Sequence, residues 1–286
     1  MIIMDKKLLN ILICPECKSK LTYNESKNKL NCIKCKTNYI IKNNVPILLD
    51  KNNKELIQKI IKSSIKEGES ERERRLSKLI GSDFISSNPL DKWWDILINR
   101  KGTRTKILDV GSGSRRLDEK AINIDIESFI NVDIIADAHR IPFKDETFDT
   151  VWCEAVLEHT GDPSKVISEI YRVLKKGGYV FAVIPFIHKY HEHPNDFQRY
   201  SISGIEKIFS QFNKKEIGVY RGPTSALLSF LSEYFTLFSS SNKLNKLIKA
   251  LVLAILFPIR HLDNILVKNK RAHELSNALY YIGKKL

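Results

Sequence analysis

A run of short apolar segments between Lys106 and Phe186, each ending in a polar or glycine-rich corner, most limits what this chain can fold into. The segments read KILDVGSGS (Lys106 to Ser114), AINIDIE (Ala121 to Glu127), DIIADAHRIPF (Asp133 to Phe143), FDTVWCEAVLEH (Phe148 to His159) and EIYRVLKKGGYVFAVIPF (Glu169 to Phe186). Strands buried on both faces have this character, and their alternation with helical stretches predicts a parallel sheet. In open sheets of that kind ligands bind beyond the carboxyl ends of the strands. Here those ends carry Gly111, Ser112 and Gly113, then Asp125, Asp137 and Glu154.

Ile141-Pro142-Phe143, Phe148-Asp149, Val156-Leu157-Glu158-His159 and Arg172-Val173-Leu174-Lys175 follow one another in an order and spacing that carry a resemblance. The stretch resembles the class I S-adenosylmethionine-dependent methyltransferases, in particular the type 11-like group whose core reads LPF...FD.V....VLEH...E..RVLK.GG. A glycine loop alone would be weak evidence; the ordered set is not. The resemblance implies an α/β fold built on a Rossmann-like seven-stranded sheet, with an antiparallel last strand at Ala278 to Gly283. It also implies S-adenosylmethionine as cofactor, held at Asp109, Gly111, Ser112, Gly113, Asp125, Asp137, Ala138 and Glu154. By the family pattern Asp125 accepts hydrogen bonds from the ribose hydroxyls, and Asp137 with Ala138 meets the adenine amino group.

The chain departs from that pattern at the glycine loop. Arg115 stands where the third glycine would be, and only Arg115 to Ala121 separates the loop from the second strand. The usual first helix is therefore missing or reduced to a turn. Two places stay open for Arg115 and Arg116: against the cofactor's carboxylate as a bidentate partner, or in solvent. The altered loop also leaves open a fold that has lost its activity.

Four of the five cysteines lie in the first fifty residues, as Cys14-Pro-Glu-Cys17 and Cys32-Ile-Lys-Cys35. No signal peptide is visible, so a cytoplasmic chain is expected, where two CxxC knuckles predict a four-thiolate zinc site rather than disulfides. Four thiolates fill the shell of the ion, so the zinc is structural. The run from Tyr39 to Leu49 after the second knuckle resembles the small zinc-ribbon proteins that bind and activate methyltransferases, and their bacterial relatives. In that family the ribbon docks edge-to-edge on a methyltransferase sheet; here it would do so in cis.

The 286 residues suit one medium domain plus a small one. The expected division is a ribbon at 1–50, a helical linker or cap at 51–105 and the catalytic domain at 106–286, with a helical insertion at 221–277. Asn52 to Lys66 has helical apolar spacing, residues 67–78 are a charge run, and Trp93-Trp94 reads as a helix packed on the sheet, with stacking on a base or sugar as the alternative. A net charge of +14 points to an anionic partner (nucleic acid, membrane surface or phosphorylated substrate), or simply to solubility.

After the fifth strand comes a loop containing His188, His191, His193, Asp196, Arg199 and Tyr200. Leaving the carboxyl end of a strand, it faces the acceptor. His191 and His193 are candidate general bases, with His159 next in line. Asp196, Arg199 and Tyr200 are candidates for holding the acceptor, and a divalent metal bound by histidines is a further reading. Glu154-Ala155-Val156 replaces the N-P-P-Y-type sequence that adenine and glutamine N-methyltransferases carry, which disfavours that chemistry. The insertion holds two apolar stretches, Ala226 to Phe238 and Leu247 to Ile259, each shorter than the roughly twenty residues that span a bilayer. A lid with contact to an anionic membrane, a buried helix and a dimer contact all stay open.

These features predict a cytoplasmic methyltransferase, with a peripheral position on the inner membrane face open. The leading acceptor is a hydroxyl on a sugar, glycan or lipid-linked small molecule. The alternatives are a tRNA- or RNA-modifying enzyme and a non-catalytic scaffold. Oligomeric state is not legible.

Overall fold

The computed structural model describes residues 5–66, 90–98, 105–192 and 195–286; the charge run at 67–78 and His193 lie outside them. The strands are β1 (Leu21–Asn24), β2 (Lys29–Cys32), β3 (Asn38–Lys42), β4 (Val45–Leu48), β5 (Ile107–Val110), β6 (Ala121–Asp125), β7 (Ile134–Ala136), β8 (Phe148–Glu154), β9 (Leu174–Pro185), β10 (Asn213–Arg221) and β11 (Ala278–Lys284). They form one sheet in the order β1-β2-β3-β4-β7-β6-β5-β8-β9-β11-β10. The seven strands expected from the sequence are the stretch from β7 to β10, with β11 antiparallel to both β9 and β10.

The sheet nevertheless has 11 strands, because the ribbon continues it. β4 pairs in parallel with β7, Ile47 opposite Ile135 and Leu48 opposite Ala136. An edge strand presents unpaired N–H and C=O groups, and β4 covers those of β7. Apolar contact accompanies the pairing: Ile47, Leu49, Val132 and Ile135 pack with Ile60 of the second helix. Helix α1 (Lys6–Ile11) precedes the first knuckle and α2 (Lys54–Lys62) follows β4. Beyond α1 the Ile13 N–H donates to the Pro142 carbonyl at 2.9 Å, and the Lys144 N–H donates to that of Ile11 at 3.0 Å.

Helix α3 (Leu90–Leu97) lays Trp93 into a second core beside Tyr179, and the Trp93 indole N–H donates to Glu216 at 2.8 Å. That ring is packed and hydrogen-bonded, which leaves it no stacking face for a base or sugar.

Helix α4 (Pro163–Val173) gives the start of the RVLK run, Arg172 and Val173, its physical role. Asp162 caps its first turn, and Val166, Ile167, Ile170 and Val173 form the buried stripe. Arg172 turns away from that stripe and donates to the carbonyls of Phe143 at 2.7 Å and Ile141 at 2.8 Å, and to Glu169 and Asp145. One guanidinium thus fixes the Ile141–Phe143 corner. Glu169 is shared with Lys18 of the first knuckle at 2.6 Å, which ties the ribbon to the same corner.

Helix α5 (Ile202–Ile208) leads into β10, and the insertion follows as α6 (Pro223–Tyr234), α7 (Asn242–Leu256) and the short α8 (Asp263–Leu266). Both carboxylate oxygens of the buried Asp263 accept from the first turn of α6: the Thr224 N–H at 2.8 Å, and the Ser225 N–H and hydroxyl at 3.0 Å each. Arg221, Ala278 and Pro185 lie side by side across β10, β11 and β9, so the insertion leaves the sheet at the edge where β9 ends. No helix among the described residues is long and apolar enough to cross a membrane.

Candidate functional site

Three groups of side chains gather at or near the carboxyl ends of the strands. The first surrounds the glycine loop. Gly111 and Gly113 adopt φ of +65° and +55°, a region that favours glycine. A Cβ on Gly111 would lie 2.3 Å from Val156 Cγ2, so the turn after β8 presses directly on the loop. A Cβ on Gly113 would meet nothing within 4 Å, so that backbone faces open space. Asp125 spans loop and strand: one oxygen accepts the Gly113 N–H at 2.8 Å and the other the Glu127 N–H at 2.9 Å. An ionised carboxylate has about four acceptor sites, so these two bonds do not exhaust its acceptor character. Asp137 accepts from the His139 backbone and ring, at 2.9 and 2.7 Å. Burial opposes its charge, but those bonds and the neighbouring cations outweigh it and hold the carboxyl below its usual range. Ala138 follows in a short 3-10 turn.

No helix connects β5 to β6; turns at Ser112–Arg115 and Asp118–Ala121 do. Arg115 folds back from this loop onto Asp109, with bonds of 3.2 and 2.7 Å, and onto Glu154 at 2.8 Å. Glu154 also accepts the Trp152 indole N–H at 3.2 Å. Arg115 is therefore half-buried, with its guanidinium turned into the corner. It is held inside the corner by two carboxylates, which together raise its pKa against the opposing effect of burial. Arg116 takes no part: it pairs with Asp133 through two bonds of 3.0 Å.

These donors fit S-adenosylmethionine: an open glycine backbone, an acceptor carboxylate after β6, and Asp137 with Ala138 after β7. Asp125→Ala removes a charge-assisted acceptor, worth about 1.5–3 kcal/mol, and frees the Gly113 N–H. The expected result by calorimetry is cofactor binding weakened by roughly 10- to 100-fold. Undiminished binding would remove Asp125 from the site.

The second group follows β8. A 3-10 turn at Leu157–His159 sets Glu158 inward, 0% exposed, with neither carboxylate oxygen meeting a hydrogen-bond donor. Its Oε1 lies 3.8 Å from His159 Nε2 and 3.7 Å from His191 Nε2. The His159 ring meets that of His191 edge to face, centroids 4.8 Å apart, and His188 meets the latter in the same way at 4.6 Å. Burial raises the Glu158 carboxyl to about 7, against the smaller lowering effects of its own backbone and of Arg199. Burial, then His188 and His159, lowers His191 to about 4, so its ring is neutral at physiological pH and a poor base. The sequence expectation of a neutral-range base at His191 therefore meets a different environment. Asp196 and Arg199, expected at the acceptor, are spent on each other through two contacts. Asp196 also accepts the His191 N–H at 2.9 Å, and Arg199 donates to the Lys189 carbonyl at 3.1 Å. The pair fixes the loop. Tyr200 packs against the central core.

Sequence reasoning did not single out Glu158. Its only signal was an acid beside a histidine inside an otherwise apolar corner motif.

The third group is the ribbon. Cys14, Cys17, Cys32 and Cys35 place their sulfurs within 4.8 Å of one another. Lys18 and Lys36, each directly after a knuckle, share φ of 59°, so the two knuckles turn alike. Four thiolates at these separations suit a zinc ion with bonds of about 2.3 Å. The Tyr39 hydroxyl, 3.0 Å from the Cys14 sulfur, supplies an outer contact.

Comparison with known proteins follows the same division. Residues 108–182 match the family model described as "Methyltransferase domain", and residues 5–44 the one described as "Trm112p-like protein". A UPF0434 protein of Nitrosococcus oceani is 47% identical over 47 residues, 16% of this chain and 80% of that relative. The ubiquinone biosynthesis O-methyltransferase of Pseudomonas fluorescens is 37% identical over 120 residues, 33% of this chain and 50% of that relative. Among solved structures, the phosphoethanolamine N-methyltransferase 2 of Haemonchus contortus, in complex with S-adenosyl-L-methionine, aligns with 73% of this chain and 55% of its own. That likeness is distant, at 17% identity and a TM-score of 0.41.

Proposed function

We propose, for a chain that belongs to the S-adenosylmethionine-dependent methyltransferases and carries a Trm112-like zinc ribbon in cis, that it methylates a hydroxyl of a small amphipathic acceptor, a sugar or glycan unit on an apolar carrier. The observation that carries this reading is the meeting of the Glu158–His159–His191 cluster with the apolar insertion at one sheet edge. An amine offers its own lone pair to a methyl group, whereas a hydroxyl must also lose a proton. The cluster supplies groups for that task. His159 gives its Nδ1 to the Asn195 carbonyl at 2.5 Å and keeps Nε2 toward the cluster. His191 and His193 belong to the same loop, which would close over the acceptor.

S-adenosylmethionine, when bound, supplies the electrophilic methyl group. The chain's own work is placement: Gly111, Ser112 and Gly113 admit the ligand closely, Asp125 holds the ribose, and Asp137 and Ala138 hold the adenine. Orientation of two reactants in this way supplies most of the rate in a displacement of this kind.

The apolar carrier is suggested by the insertion. Leu227, Phe230 and Tyr234 of α6 and Leu247, Leu251 and Ile255 of α7 are exposed, and α7 buries none of its residues. Lys243 and Lys246 at the start of α7 suit an anionic headgroup region, so the acceptor would be met at a membrane surface. The Pseudomonas relative, by its name, also forms an O-methyl bond. On this reading residues 1–50 brace the edge, α2 and α3 of the segment 51–105 pack on the sheet, and 106–286 carry the chemistry.

The test uses the full chain with methyl-labelled S-adenosylmethionine and a cell extract divided into organic-soluble lipids, water-soluble small molecules and RNA. Label is expected in the organic fraction, in alkali-stable ether linkage to a sugar. Label confined to RNA would replace this reading with the RNA-modifying one, to which the Trm112-like ribbon and the +14 charge also lend themselves.

A further inference from the structure

A carboxylate buried without a partner is costly, because the idealised transfer of such a charge out of water is worth tens of kcal/mol. Proteins resolve this with a cation, a set of hydrogen bonds or a proton. Glu158 has no hydrogen bond at either oxygen and no exposure. Arg199, a cation of the same loop, is bound to Asp196, to the loop backbone and to His191 Nδ1. What Glu158 does face is a pair of imidazole nitrogens, His159 Nε2 and His191 Nε2.

The outer partners of the two histidines set which nitrogen is available. His159 Nδ1 lies 2.5 Å from the Asn195 carbonyl, an acceptor only, so Nδ1 carries the proton and Nε2 the lone pair. His191 Nδ1 lies 3.4 Å from Arg199 Nη2, a donor only, so Nδ1 accepts there and the proton sits on Nε2, where an incoming ion must displace it. Metal-ligating histidines characteristically give their second nitrogen to a carbonyl or a carboxylate. Here His159 does so, and its Nε2 and that of His191 converge on one carboxylate that accepts no hydrogen bond. Ligand atoms on bonds of about 2.1 Å stand roughly 3.0–3.5 Å apart; the two carboxylate–histidine distances of 3.7 and 3.8 Å need close by a few tenths of an ångström, and all three ligand atoms lie within 4.8 Å of one another.

We propose that Glu158, His159 and His191 bind a divalent transition-metal ion, with open positions for the acceptor's oxygen. This rests on the methyltransferase reading and deepens it. The ion lowers the pKa of a coordinated hydroxyl, whose proton passes to solvent. The acceptor oxygen then bonds to the methyl carbon, and the carbon–sulfur bond breaks with its electron pair remaining on sulfur. Two imidazoles and one carboxylate with open positions suit cobalt, iron or zinc better than magnesium.

The experiment uses the full chain with its ribbon already saturated with zinc, titrated with Co²⁺ alone and read by visible absorption. One equivalent should bind with d–d bands and no thiolate-to-metal charge transfer. Glu158→Gln and His159→Asn should each weaken it by more than about 100-fold, exceeding the effect of losing an outer partner. A melting curve for each variant shows that it is folded, and Asp196→Asn should weaken cobalt by a smaller factor. Absence of a saturable equivalent in the wild type overturns the proposal. So do binding unchanged in both ligand variants, and a spectrum of thiolate charge transfer, which places cobalt in the ribbon. Cobalt binding requires neither acceptor nor cofactor. If it fails while methyl transfer to a hydroxyl persists, the site works by base alone and only the metal is lost.

Discussion

Cys32→Ser is expected to release the zinc, unfold the ribbon and destabilise the catalytic sheet with it. A structural four-cysteine site contributes on the order of 10–16 kcal/mol of binding free energy to a small module, most of what holds such a module folded. The ribbon is such a case: its four strands are four or five residues long, and its buried set is small. A serine hydroxyl stays neutral where a thiolate was needed, and Cys17 loses its neighbour at 3.3 Å. The loss does not stop at the ribbon. β4 would no longer cover β7, and Leu48 and Ile135 would lose their partners. The Asp50–Arg140 ion pair of 2.9 Å, just beyond the Asp137 corner, would also go. Metal analysis should show zinc falling from one equivalent to a small fraction. Limited proteolysis should cut within 1–50 first, and the remaining domain should melt at least ~5 °C lower, the shift that ~2 kcal/mol produces at this size. Strong chelator on the wild type should reproduce the effect. Full zinc content with an unchanged melting curve would defeat this account of the ribbon.

Two kinds of feature were legible in the sequence, for one reason: both are local. A thiolate knuckle is complete within four residues, and a strand that ends in glycine or aspartate announces its corner within ten. From these came the zinc site and the strand-end corners, while the seven-strand count and the antiparallel β11 came from the family resemblance that those corners carried. The joining of ribbon and sheet is not local, since it depends on β4 finding β7 across more than eighty residues; only the ribbon's family resemblance implied an edge-to-edge docking. The same limit hid Glu158. Its neighbours at the site come from the loop near His191, so its lack of a donor exists only in three dimensions. The roles expected for Asp196 and Arg199 changed for a related reason. A charged pair three residues apart in a loop near the acceptor reads as two ligands, but at that spacing the two reach each other first. His193 lies outside the described residues, and its place in the chemistry rests on its loop alone.

The loss of the third glycine is where sequence and structure together make the sharpest demand. Asp109 is 0% exposed and both its oxygens accept from Arg115, while Glu154 takes a third bond from the same guanidinium. Removing Arg115 leaves two carboxylates side by side, one wholly buried and without a counter-charge. Breaking a buried pair from one side costs about 3–5 kcal/mol. Arg115→Ala is therefore expected to lose about 3 kcal/mol or more in urea unfolding near pH 8, and cofactor binding with it, because the turn from Gly111 to Arg115 loses its anchor. The pH dependence carries the sign. Burial already raises the Asp109 carboxyl above its ordinary value despite Arg115, and the variant raises it further. A carboxyl with a raised folded pKa takes up a proton more readily folded than unfolded. Its penalty is absent below the unfolded carboxylate range and grows as pH rises through the folded value. Arg115→Ala should thus be least damaged at acid pH and progressively worse toward pH 8, and Asp109→Asn on top of it should recover stability at pH 8. A variant that loses under ~1 kcal/mol, with no dependence on pH, would mean that water screens the pair as it does surface ion pairs. Arg115 would then be the solvated residue that the glycine pattern alone allowed.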